Sequence, residues 1–338
     1  MRLVYKNLLL LAVSCIFTLG LGEIALRVYQ STLKPYFESD EYLGWVVKKN
    51  VHYELAKKDG CGELYHLTYQ TDSLGFRKFG NTSTSKKKVL FIGDSFTQAQ
   101  DASDDSTYYT LLSQWLNFEV FAYGTGGHGT LQEALRLEQI ITQINPHLVV
   151  LQFCENDLIN NCYELEQASI QHNNRHRRPY LDINGSLFYA NPAITSTLSF
   201  IIEKSKLLSF IMGKIRNLLI SKTNSKEIFN PVEYNKAKQI TDKCLKKIKL
   251  ICAKGRATFV SFTVNESLIG SKKTYQSLMQ QNNIEILGDV PQAIANKEKQ
   301  GECCLAEDKG HWNHTGHRIC AESLMNRLQY VLTHEIKQ

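Results

Sequence analysis

Residues 89–97 read Val89-Leu90-Phe91-Ile92-Gly93-Asp94-Ser95-Phe96-Thr97, and their reading decides the fold. Four apolar residues stand between Lys86–Lys88 and Gly93, the pattern of a short buried strand. A serine just beyond a buried parallel strand sits where such sheets expose reactive side chains, and Gly93 permits a sharp turn there. Alone, Gly-Asp-Ser is equally an ordinary strand-to-helix cap. The surrounding pattern has to separate the two readings.

That pattern alternates. Thr107–Leu116 has helical character, and Val120–Tyr123 is a second apolar strand that ends in glycines. Apolar residues at 131, 134, 135, 137, 140, 141 and 144 follow helical spacing. Leu148–Phe153 is a third strand. Residues 235–252 place Ala237, Ile240, Cys244, Ile248 and Ile251 on one helical face. Thr258–Phe262 and Ile284–Leu287 are expected as strands four and five, and Thr315–Leu332 as a closing helix. Strands alternating with helices predict an α/β domain, a three-layer α/β/α sandwich with about five parallel strands covered on both faces. The domain is expected over 87–335. Residues 158–232 interrupt the rhythm and are expected as an insertion. Residues 31–86 are expected as an irregular lead-in.

The amino end sets the compartment. Arg2 and Lys6 precede an uncharged run from Leu8 to Gly22, followed by Glu23 and the apolar Ile24–Leu26. A full span needs about 20 residues, and the positive end predicts that residue 1 stays in the cytoplasm. We expect residues 1–30 to be an uncleaved membrane anchor, with a cleaved signal and a buried core helix as alternatives. The expected location is the bacterial inner membrane, single-pass, with the remainder in the periplasm. On that reading eight of the nine cysteines are exported, which permits up to four disulfides in any of 105 pairings.

The chain has 338 residues, 43% of them hydrophobic and 21% charged, which excludes disordered, collagen-like and coiled-coil classes. Its net charge is +6. Residues 198–256 hold fourteen Lys/Arg against four Asp/Glu, a net of +10, so the other residues sum to −4. That local excess is no nucleic-acid footprint. Leu198–Ile220 mixes apolar and cationic residues and suits either a helix packed on the domain or a membrane-surface helix. Arg175, Arg177 and Arg178 are expected in a solvated loop, with a contact for an anionic glycan or lipid headgroup as the alternative.

The carboxyl-terminal stretch Asp308-Lys309-Gly310-His311-Trp312 puts an acid three residues before a histidine. That is close enough for a carboxylate to fix the imidazole tautomer a general base needs. A serine hydroxyl needs such a base to become nucleophilic. The turn Gly124-Thr125-Gly126-Gly127 offers backbone N–H donors, and Cys154-Glu155-Asn156-Asp157 offers a side-chain donor. His311, His314 and His317 recur every three residues, but the triad accounts for His311 and a helix start for the others, so no metal is expected.

Taken as an ordered set, Gly93-Asp94-Ser95, the glycine turn, Asn156-Asp157 and Asp308-x-x-His311 resemble the four blocks of the SGNH (GDSL-like) hydrolases. The resemblance spans about residues 87–330. It implies the flavodoxin-like fold of that family. It implies Ser95 as nucleophile, His311 as base and Asp308 as its orienting acid. It implies an oxyanion hole from the N–H groups of Ser95 and Gly127 and the side chain of Asn156, with Gly124 as the alternative glycine. Two positions depart from the family pattern: Cys154 stands where the third block has Gly, and Ala122 where the second commonly has Asn. Leu43-Gly44-Trp45, Asp72–Arg77 and His311-Trp312-Asn313 resemble membrane-anchored bacterial members linked to cell-surface polysaccharides.

The resemblance implies a serine esterase or O-acetyltransferase acting on O-acyl groups of a surface or exported glycan, without a cofactor. A lipid-directed esterase (lysophospholipase) and a catalytically silent glycan-binding member are the alternatives. Polysaccharide-assembly proteins are the candidate protein partners.

Overall fold

The computed structural model describes residues 2–33, 35–223, 229–265 and 271–334. The first part of the chain forms α1 (Arg2–Thr32), β1 (Phe37–Asp40), β2 (Gly44–Val47), β3 (His52–Lys58), β4 (Leu64–Gln70) and β5 (Lys78–Phe79). The alternating part follows: β6 (Lys88–Gly93), α2 (Ser95–Gln98), α3 (Tyr108–Leu116), β7 (Glu119–Gly124), α4 (Thr130–Ile144) and β8 (Leu148–Phe153). Next come α5 (Asp157–Asn160), α6 (Tyr163–Ala168), β9 (Arg178–Leu181), β10 (Leu187–Ala190), α7 (Thr197–Lys204) and α8 (Lys206–Thr223). The chain closes with α9 (Pro231–Lys254), β11 (Thr258–Thr263), α10 (Ser271–Gln281), β12 (Glu285–Ile286), α11 (Val290–Lys299) and α12 (His314–Thr333).

Six strands form the central sheet in the order β12-β11-β8-β6-β7-β5. Five run parallel, as expected, and β5 adds an antiparallel edge through Lys78–Ala122 and Phe79–Phe121. The alternation along each strand explains the continuous apolar runs. Val89 and Phe91 face a core shared with α3, α11 and α12, while Leu90 and Ile92 face a second core shared with α4, α9 and α10. Both faces of the sheet are therefore dry, which is what permits all-apolar parallel strands.

The lead-in differs from its expected irregularity. It holds two hairpins, β1–β2 and β3–β4, besides the edge strand. In β3 only Tyr53 is fully buried, and in β4 only Leu67 and Tyr69. The β3–β4 hairpin thus has one small apolar contact and otherwise polar faces, too little contrast for a period of two to show, and β2 buries Trp45, Val46 and Val47 in succession, so it does not alternate either. Five parts of the expected domain plan lie outside the described residues: Met1 of the anchor, Lys34 of the lead-in, residues 224–228 of the insertion, residues 266–270 of the domain and Glu335 at its end.

α1 contains a 28-residue stretch, Val4–Ser31, whose most apolar 18-residue window has mean hydropathy 2.2, and none of that window is buried in the protein. This excludes a buried core helix and leaves one N-terminal helix long and apolar enough to cross a membrane.

Candidate active site

β6 delivers Asp94 and Ser95 to its carboxyl end, where Asp94 caps α2 by accepting the Phe96 N–H at 3.0 Å. Gly93 is needed for space rather than for an unusual backbone angle. A Cβ there would sit 2.4 Å from Gln152 Oε1 and 2.5 Å from Thr97 Oγ1. Gln152 on β8 clamps the turn: its Oε1 accepts the N–H groups of Asp94 and Thr97 at 3.1 Å each and the Thr97 hydroxyl at 2.9 Å. The other end of α2 is held by Arg77, buried under Tyr69, whose guanidinium donates to the carbonyls of Gln98 and Ala99 and pairs with Asp104 at 2.7 Å.

Opposite lies the loop before α12. His311 Nε2 stands 2.9 Å from Ser95 Oγ, and His311 Nδ1 stands 2.5 Å from Asp308 Oδ2. Asp308 Oδ1 also accepts the N–H groups of Gly310 at 2.9 Å and His311 at 3.0 Å, so acid and imidazole share one turn. Burial pulls the imidazolium of His311 down, but the hydrogen bond and charge of Asp308 outweigh it and leave His311 above its ordinary value. The same hydrogen bond holds Asp308 well below the usual carboxylate range. Phe96 and Trp312 pack edge to face at 4.7 Å beside the imidazole.

The glycine turn after β7 distinguishes its glycines. Gly124 is buried against α2, where a Cβ would meet Gln98 N at 2.3 Å, so this alternative donor lies beneath the site rather than in it. Gly126 lines the cleft but gives its N–H to Gln98 Oε1 at 2.7 Å. Gly127 also lines the cleft, has φ +76°, and its N–H meets no acceptor among the described residues. Asn156 reaches the same cleft. Its Nδ2 donates one hydrogen to Asn160 Oδ1 at 3.0 Å and keeps a second for a ligand. Cys154, in place of the expected Gly, is buried and directs its thiol to Asn265 Oδ1 at 3.4 Å. Asn265 Oδ1 also accepts the Glu155 N–H at 3.1 Å, which fastens the backbone before Asn156.

Three carboxyls, Asp94, Glu133 and Asp157, are buried beneath these turns. Burial first, and mutual repulsion for Glu133 and Asp157, raises all three above the usual carboxylate range. Asp157 nevertheless accepts the Cys154 N–H at 3.1 Å and so braces the third block.

The arginine expectation is corrected at one position. Arg178 is 1% exposed, not solvated. It pairs with buried Glu166 at 3.2 Å, donates to the Gly127 carbonyl at 3.0 Å, and contacts Gln132. Asn174 donates to the same carbonyl at 3.2 Å. The 158–232 segment therefore fixes the peptide of Gly127. The histidine expectation also changes. Asn313, not His314 or His317, caps α12, by accepting the Gly316 N–H at 3.0 Å. His317 is buried and stacks on Tyr108, and burial lowers it to about 3. Neither histidine lines the cleft.

The resulting cleft has a volume of about 780 Å³. One wall is amide-rich, with Gln100, Asn156, Asn160 and Asn174. The other is apolar, with Val264, Pro291, Ile294 and Leu305. Phe37, at the start of β1, stands at its edge.

The sequence profile of GDSL-like lipases and acylhydrolases matches residues 89–324, which is most of the chain. The protein belongs to that family, the SGNH hydrolases, and is an ester-hydrolysing enzyme by class. The acetyl xylan esterase AlAXEase is similar in structure at 16% identity and TM-score 0.39, over 70% of this chain and 96% of that one. A catalytic mutant of an acetylxylan esterase from Geobacillus stearothermophilus matches at 16% identity and TM-score 0.41, over 73% and 96%. The psychrotrophic esterase EstA from Pseudoalteromonas sp. matches at 12% identity and TM-score 0.43, over 73% and 100%. No curated protein sequence matches the chain.

Proposed function

We propose that Ser95 is the nucleophile of an acyl-transfer reaction on O-acyl groups of an exported or cell-surface glycan. The continuous path from Ser95 Oγ through His311 to Asp308 carries this reading. His311 Nε2 takes the Ser95 proton as Oγ attacks the ester carbonyl carbon. The developing oxyanion takes hydrogen bonds from Ser95 N–H, Gly127 N–H and the open hydrogen of Asn156 Nδ2. Such preorganised donors are worth about 10²–10³ in rate each. His311 then protonates the leaving alkoxide, and the acyl group remains on Ser95. Water or a sugar hydroxyl, deprotonated by His311, attacks the acyl carbonyl. Collapse of that intermediate returns the proton to Ser95 and releases the acid or the transferred ester. The chemistry calls for no cofactor or metal.

The amide-rich wall supports a hydroxyl-bearing sugar beside a short acyl group. The apolar wall favours a second reading, a lipid ester whose chain lies along Val264, Pro291 and Ile294. Residues 87–335 would be the catalytic unit, held by an anchor at 1–30 in the bacterial inner membrane and facing the periplasm. The positive amino end and the Cys61–Cys303 disulfide support that orientation, since disulfides persist in oxidising compartments. Polysaccharide-assembly proteins would then be within reach as partners.

The full chain in detergent should hydrolyse a short-chain aryl acetate, and Ser95→Ala should lose about 10⁶ of kcat. No turnover by the wild type would mean a catalytically silent binding protein. Activity surviving in Ser95→Ala would move the nucleophile elsewhere. A rate that rises with acyl length would favour the lipid reading over acetyl groups. Release of free acetate from an O-acetylated oligosaccharide, against appearance of a new ester on an added acceptor, separates hydrolase from transferase.

A further inference from the structure

We propose that α7 and α8 form a second membrane attachment, a helical hairpin seated in the surface of an anionic bilayer beside α1. The first observation is where the hairpin joins α1. Among the described side chains of α1 only Gly22, Glu23 and Leu26 are half-buried. At that point Glu23 caps α8 from outside. Its carboxylate accepts the N–H groups of Lys206 at 3.0 Å and Leu207 at 2.8 Å and the hydroxyl of Ser205 at 2.9 Å. Arg27, paired with Glu23 at 2.6 Å, donates to the Lys204 carbonyl at 3.3 Å. An acid that interrupts an apolar helix thereby receives a full set of donors. These contacts place the start of α8 at the end of the uncharged run Leu8–Gly22, the level of a membrane–water interface.

The second observation is the face that α8 carries onward. Leu207 and Leu208 are half-buried, and Leu207 lies against Gly22, with its Cδ2 at 3.3 Å from a Cβ built there. Ile211, Ile215 and Leu218 continue the same face at helical spacing and are between 41% and 61% exposed. On α7, Leu198, Phe200 and Ile201 are exposed as well. Such a stripe, continuous with a helix of membrane-spanning length, suits the acyl-chain boundary of a bilayer.

Charge names the kind of bilayer. Residues 197–223 contain five Lys/Arg and one acid, Glu203, and that acid is paired with Arg175. Basic residues at this depth favour anionic headgroups. The hairpin is also tied to the site. Arg175, Glu203's partner, follows Asn174, which holds the Gly127 carbonyl, and Phe37 at the cleft edge lies five residues after Thr32, the end of α1. Five residues reach at most about 18 Å, so the cleft opens close to the bilayer surface.

The test uses the full chain in nanodiscs of phosphatidylcholine and phosphatidylglycerol carrying a diazirine in the acyl chain, with labelled peptides located by mass spectrometry. Labels on α1 report the anchor. Labels on Ile211, Ile215 and Leu218 are the expected result, and their yield should fall about fivefold when Lys204 and Lys214 are changed to Glu. Labelling confined to α1 would overturn the proposal. Cross-links between two copies through α8, without lipid labels there, would overturn it in favour of a dimer. The readout needs no turnover, so it stands or falls apart from the esterase reading.

Discussion

A neutral imidazole is needed at Nε2 of His311 for it to accept the Ser95 proton. The rate is therefore present above the His311 pKa and lost as pH falls through it. Asp308 holds that pKa above the ordinary 6.5, so the acidic limb of kcat/KM should lie above 6.5. Asp308→Asn removes both the charge and the tautomer control. It should move the limb to lower pH and reduce kcat by on the order of 10³–10⁴-fold. A pH–rate profile of both proteins checks this, and an unmoved limb would show that Asp308 does not act through His311. The pair was legible in the sequence because three residues of one turn fix its distance. Which glycine offers a free N–H was not legible. That depends on Gln98, whose side chain takes the Gly126 N–H and leaves the one on Gly127.

Between elements, the buried pair of Arg178 on β9 and Glu166 on α6 joins the 158–232 segment to the glycine turn. Tyr180 adds a hydrogen bond to Glu166 at 3.0 Å. Removing one partner of a buried pair leaves the other charge without compensation, which costs about 3–5 kcal/mol. Arg178→Met should lose that much stability in urea unfolding. It should also slow ester hydrolysis, because the Gly127 peptide loses a donor at 3.0 Å. A variant as stable as the wild type would show that the pair contributes nothing net. The same pair explains what sequence reading could reach. The four longer parallel strands, β6, β7, β8 and β11, were legible because each is apolar on both faces, so four to six residues suffice to mark one. Arg178 reads as solvated because its neighbours Arg175, His176 and Arg177 are polar. Its burial comes from Glu166 and Gln132, twelve and forty-six positions away, and no local pattern carries that. β5, with two residues, is set by its pairing with β7 rather than by its own composition.

For the whole molecule, the long-range covalent link is Cys61–Cys303, which closes 242 residues of chain. It ties the end of β3–β4 to the segment that leads into Asp308 and His311. Seven other cysteines are free, and six of them are buried, so the eight cysteines outside α1 resolve into one bridge and a set of core thiols. The bridge and the site loop are separable. The loop has its own supports: Ala306 N–H to the His311 carbonyl at 2.8 Å, Asn313 N–H to the Cys304 carbonyl at 3.1 Å, and Asn313 Nδ2 to the Cys303 carbonyl at 2.9 Å. Cys304, Ala306, Trp312 and Asn313 are buried, which holds these bonds away from water. A cross-link over so long a loop acts mainly on the unfolded chain and is worth about 2–4 kcal/mol. Cys61→Ser with Cys303→Ser should therefore lower the free energy of unfolding by that amount while leaving kcat near the wild-type value at temperatures where the protein stays folded. Urea unfolding and aryl acetate hydrolysis on the same samples check both halves. A collapse of kcat in a folded double variant would show that the disulfide, and not the hydrogen bonds around Asn313, sets the distance from His311 to Ser95.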